Sequence, residues 1–268
     1  MKNSHRLFVA VALVGVFASA SLALADHSWG GYHWARTANP FTIKLGDNVS
    51  SAWDAYLAQT SSDWTASSVI DTAIVAGGTN ATKGRNTPKN CLPTNGRAEV
   101  CNAKYGSNGW LGIAQVWVSG THITQGAVKM NDTYFNTSSY NTPAWRNLVM
   151  CQEVGHVLGL DHQDEDFSNV ALGTCMDYTS DPTPNQHPNQ HDYDMLEEIY
   201  AHLDTTTTVS HSVASLPADT DNSDPKAWGR EIERSVDGRA SLFELDLGKG
   251  KKVFTHVFWA EPREGHAH

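Results

Sequence analysis

The stretch TPAWRNLVMCQEVGHVLGLDHQD, residues 142–164, constrains this chain more than any other. Thr142 followed by Pro143 is a helix start: a threonine side chain caps the first free N–H groups, and the fixed φ of proline suits the first turn. Trp145, Leu148, Val149, Gln152 and His156 then recur on one helical face. Gly159 ends the helix, because glycine accepts the left-handed conformation that turns a chain at a helix C-terminus. Gln152 and His156 therefore lie one turn apart with Glu153 beside them. His162 returns to the same place only because the helix stops first.

The surrounding pattern mixes strands and helices. Residues 41–45 (FTIKL) alternate as a strand, and from Ser51 a helical pattern puts Trp53, Leu57 and Trp64 on one face. Residues 70–75 give a second strand. Residues 77–108, rich in Gly, Asn, Pro and Lys, read as a long surface excursion pinned by a local Cys91–Cys101 disulfide. LGIAQVWV (111–118) and ITQGAVKM (123–130) are two strands separated by Ser-Gly-Thr-His. YDMLEEIYAHL (193–203) is a short amphipathic helix. Residues 205–230, with their Thr, Ser and Asp runs, read as a linker, and 231–268 as an extension whose residues 240–260 form a hairpin around Gly-Lys-Gly.

With glutamine admitted at its head, QEVGHVLGLDH matches HExxHxxGxxH at every other fixed position. The chain resembles the metzincin clan of zinc endopeptidases. Cys175-Met176-Asp177-Tyr178, fourteen residues after His162, is similar to that clan's methionine turn, and its tyrosine resembles the astacin and serralysin pattern. The resemblance covers about two-thirds of the chain at pattern level and is specific only at the helix and the turn. It implies an α+β fold: a twisted mixed sheet, a backing helix, an active-site helix, and a small C-terminal subdomain holding the Met-turn and a helix, together spanning 26–204. It also implies one catalytic zinc held by Gln152, His156 and His162, with Glu153 as general base and Tyr178 hydrogen-bonding an oxyanion. A Met-turn stacked under the helix brings Cys151 to Cys175.

Gln152 is the departure. A side-chain amide oxygen is a weaker zinc donor than imidazole, yet it is equally neutral, so a bound ion keeps its power to acidify water. If Gln152 is instead a spectator, Tyr178, His187 and His191 are the candidate replacement ligands. Asp161, Asp164, Glu165 and Asp166 form an acidic loop, of a kind that is usually just solvated but can hold calcium.

Residues 1–25 carry an early Lys2 and Arg6, an apolar run and an Ala-Leu-Ala ending, the pattern of a secretory signal peptide. Four cysteines in an exported chain fit two disulfides, for which three pairings exist. A formal net charge of −10 without a Lys/Arg-rich run argues against a nucleic-acid partner or an anionic membrane surface. Asn48, Asn80, Asn131 and Asn136 stand in N-x-Ser/Thr sequences and accept sugar only in a source that glycosylates them. The expectation is a secreted, monomeric zinc endopeptidase acting on protein or peptide. The alternative is an inactive relative that keeps the fold as an extracellular binding protein.

Overall fold

In the computed structural model, which describes residues 27–78, 88–210 and 223–260, a large mixed sheet is combined with few helices, consistent with an α+β architecture. The expected signal peptide, residues 1–25, lies outside the described residues, as do 211–222 of the expected linker and 261–268 of the expected extension. The strands are β1 (His33–Trp34), β2 (Phe41–Asn48), β3 (Ile70–Ala76), β4 (Ala98–Ala103), β5 (Trp110–Ser119), β6 (His122–Asn131), β7 (Arg230–Arg234), β8 (Ala240–Gly248) and β9 (Lys251–Trp259). The helices are α1 (Asp54–Trp64), α2 (Asp132–Phe135), α3 (Pro143–Val157) and α4 (Gln190–Ile199).

The sheet runs β3-β2-β4-β6-β5-β9-β8-β7, with β1 beside β6. Strands β3, β2, β4 and β6 are parallel, whereas β5, β9, β8 and β7 alternate in direction. Alternation along β5 sorts its side chains into two layers. Leu111, Ala114, Val116 and Val118 join the core that α1 and α3 cover, while Trp110, Ile113 and Trp117 face the opposite side.

The sequence reading differs from the structure in three places. The excursion at 77–108 contains β4, which is inserted between β2 and β6. Its sequence AEVCNA shows no alternation because it is buried on both faces, and its buried Glu99 is met by Asn48 Nδ2 at 2.6 Å and by Arg97 at 2.6 Å. Helix α4 spans Gln190–Ile199 instead of 193–203: it begins three residues early, because Asn189 and Asp192 form a reciprocal capping box there, and ends four residues early at the Tyr200 cap. Within the expected extension, the described strands β7, β8 and β9 belong to the main sheet. β9 pairs with β5 from Trp110↔Trp259 to Ser119↔Lys251, and Val253, Phe254, Val257, Phe258 and Trp259 are buried by that addition.

Cystines join Cys91 to Cys101 and Cys151 to Cys175. No helix among the described residues is long and apolar enough to cross a membrane, and the two cystines are compatible with an extracellular location.

Candidate functional site

Helix α3 is fixed at both ends. Thr142 accepts from Trp145 N at 3.3 Å, and Pro143 occupies the first turn. At the other end, Gly159 N reaches His156 O at 3.1 Å and Leu160 N reaches Gly155 O at 3.2 Å, the paired bonds of a Schellman cap. Gly159 has φ +105°, and a Cβ there would stand 2.7 Å from Tyr32 O, so this stop requires glycine. Two indoles of the N-terminal segment also bind carbonyls at this end: Trp29 Nε1 donates to His156 O at 3.3 Å, alongside Gly159 N, and Trp34 Nε1 to Val157 O at 2.8 Å.

The methionine turn lies against α3. Met176 is fully buried, and a Cβ on Gly155 would stand 2.5 Å from its Sδ and 2.9 Å from Trp64. Thr174 Oγ1 accepts from Met176 N at 3.0 Å and itself donates to Asp192 on α4. The turn is thus held between α3 and α4, with the Cys151–Cys175 cystine alongside.

Above this floor the histidines gather. The rings of His156 and His162 meet edge to face at 4.5 Å, and Tyr178 lies 4.0 Å from His162. His156 Nδ1 is bound by Leu160 O at 2.9 Å, and His162 Nδ1 faces Asp161 at 3.3 Å and Glu165 at 3.5 Å. Such contacts on Nδ1 are how a protein orients a histidine that ligates through Nε2.

A third histidine, which the sequence reading did not include, completes the group. His256 of β9 stacks on His156 at 4.0 Å with an 11° interplanar angle. Its place was latent in the alternation of FTHVFWA, which puts Phe254, His256 and Phe258 on one face. Only the pairing of β9 with β5 shows that this face looks onto α3. The ligand atoms of His156, Asp161 and His256 lie within 4.8 Å of one another, and so do those of Asp161, His162 and Glu165.

Other expected residues fall elsewhere. His187 pairs with Asp63 at 2.7 Å, and His191 stacks on His27, so neither supplies a replacement ligand beside His156. Tyr178 is buried against Phe167 and Phe258 as well as His162. Gln152 and Glu153 are both buried within α3.

Burial sets the protonation pattern. It takes His156 well below its ordinary value, reinforced by His256 and His162, and takes His256 to about 3 against the pull of Asp161. Burial alone would lower His162 too, but Asp161 and Glu165 hold it at about 9. Glu153 is pushed well above the carboxylate range by burial, which outweighs His162.

The site fits a metal ion on one further observation. Gln152 Oε1 and Nε2, Glu153 Oε2 and His256 Nε2 are all buried without a hydrogen-bond partner. Orphaned buried polar atoms cost stability unless something binds them. A small cavity is walled by Asp161, His162, Glu165, Tyr178 and His256 and, from the other side, by Glu233 and Arg234. A groove of about 380 Å³ between the N-terminal segment and β7–β9 shares Asp161 and Glu233 with that cavity.

A scan of protein-family models and a search of curated proteins both found no match to this chain.

Proposed function

We propose that the chain is a metal-dependent hydrolase of peptide bonds, metzincin-like in its site, whose zinc would be held by His156, Asp161 and His256, with His162 beside them. The observation that carries this reading is that the ligand atoms of His156, Asp161 and His256 lie within 4.8 Å of one another. His256 supplies the imidazole that the sequence lacks at position 152, and Gln152 becomes a neighbour of the ion and not its third ligand. Bound there, zinc would polarise a carbonyl and acidify a water molecule.

Glu153 is the group placed to accept the proton. Its Oε2 has no partner, and its raised affinity for protons suits it to take one up and return it to a leaving amine. Tyr178, next to His162 and lining the small cavity, is the nearby hydroxyl that can donate to an oxyanion. Export from the cell belongs to the same reading, on the signal-peptide pattern and the cystines.

One observation favours the non-catalytic alternative. β9 lies along β5, and residues of β7–β9 wall the site, leaving little room at the histidines for a substrate. Measuring zinc content and cleavage of a general protein substrate separates the two. Wild type is expected to hold zinc and cleave, and Glu153→Ala to hold zinc without cleaving. Undiminished cleavage by Glu153→Ala would remove Glu153 from the reaction, and a zinc-loaded wild type that cleaves nothing would leave the binding-protein reading.

A further inference from the structure

A second group of histidines sits on other elements. His33 of β1 and His122 of β6 are register partners in the sheet, and His202 and Asp204 follow α4. The Nε2 atoms of His33, His122 and His202 stand 3.7, 3.2 and 3.9 Å from the same oxygen, Asp204 Oδ1. His33 Nε2 and His202 Nε2 are 3.1 Å apart. In a tetrahedral zinc site with bonds of about 2.0–2.2 Å, neighbouring donor atoms are about 3.4 Å apart. The three distances among His33, His202 and Asp204 bracket that value, and these three donor atoms lie within 4.8 Å of one another, whereas His122 meets Asp204 alone.

The supporting contacts agree. His33 Nδ1 is tied to Gly31 O at 2.9 Å, which leaves its Nε2 lone pair facing the other donors. Asp204 Oδ2 accepts from Arg36 Nη1 at 3.0 Å and from Arg36 N at 3.2 Å, so Oδ1 is the oxygen left to the histidines. The rings of His122 and His202 both meet His33 nearly at right angles, at 5.0 and 4.6 Å.

We infer that His33, His202 and Asp204 form a second zinc site, separate from the one at α3, with His122 held against the same Asp204 oxygen. Three protein donors hold the ion. It pins two distant segments together: the N-terminal segment and the chain after α4. The first of these also carries Trp29 and Trp34, the indoles that hold the end of α3.

The test is zinc stoichiometry and affinity on the full chain, stripped with a chelator and retitrated, for wild type, His122→Ala and His202→Ala. Neither histidine is buried, so both variants should melt like wild type when stripped. His202→Ala is expected to lose one zinc per chain, with affinity at that site down more than about 100-fold, and to lose part of the rise in Tm that zinc gives wild type, whereas His122→Ala, which only removes a partner of Asp204, should weaken the site about tenfold. His156→Ala serves as the contrast, removing an ion from α3 while leaving this one. Variants that take up as much zinc as wild type, with the same affinity, would overturn the second site whatever the peptidase activity.

Discussion

Asp192 offers a quantitative test of how the floor of the candidate site is held. Its carboxylate is buried in α4. One oxygen accepts from Thr174 Oγ1 and, at 2.7 Å, from Asn189 N; the other has no hydrogen-bond partner and lies 3.9 Å from His27 Nε2. Burial raises its pKa from 3.8 to about 6, outweighing those two hydrogen bonds. An acid that binds its proton more tightly when folded stabilises the fold fully below pH 3.8, and that contribution is lost as pH rises through 6. A shift of about two units corresponds to about 3 kcal/mol. Asp192→Asn keeps an acceptor oxygen for both donors and carries no charge at any pH. In urea unfolding of the stripped protein, the stability of the variant relative to wild type should therefore increase by about 2 kcal/mol between pH 4 and pH 7. His156 and His256, which burial shifts downward, favour the fold in the opposite pH sense, but they are present in both proteins and cancel in the difference, whereas His27 and His191, which face Asp192, lose a charge partner with it. A difference that stays flat across that range would refute the reasoning.

Gly155→Ala gains about 1 kcal/mol of helix propensity but drives a methyl group into Met176 and Trp64, and overpacking costs about 1–3 kcal/mol, so thermal melts should show a net loss of about 1 kcal/mol. A more stable variant would contradict the packing of the methionine turn on α3. His256→Phe keeps a ring against His156 but removes the donor, and it should weaken zinc binding at α3 at least about tenfold more than Gln152→Ala does, measured by chelator competition. Equal losses, or a larger one for Gln152→Ala, would return the third position to Gln152.

What could be read in the sequence was local. Helix α3 was legible from Thr142-Pro143 to Gly159 because caps and periodicity act within a few residues. β4 was hidden because burial on both faces erases alternation, and a Gly/Asn-rich flank makes such a segment resemble a loop. His256 was hidden for a different reason. Its neighbour His156 is a hundred residues away in sequence, and only strand pairing brings them together. The group at Asp204 is assembled in the same way from positions 33, 122 and 202, and His-x-Asp at 202–204 is too short a pattern to announce it.

The position of β9 beside β5 also orders events during synthesis. Some ninety residues separate His162 from His256, and at about 5–20 residues per second a ribosome needs roughly 5–20 s to make them. During that interval the nascent chain carries α3 and its first two histidines while β5 is still a bare strand edge, open to pairing with any extended peptide. Strand β9 closes this edge and delivers the last imidazole in one step, so a product truncated before Lys251 would lack both.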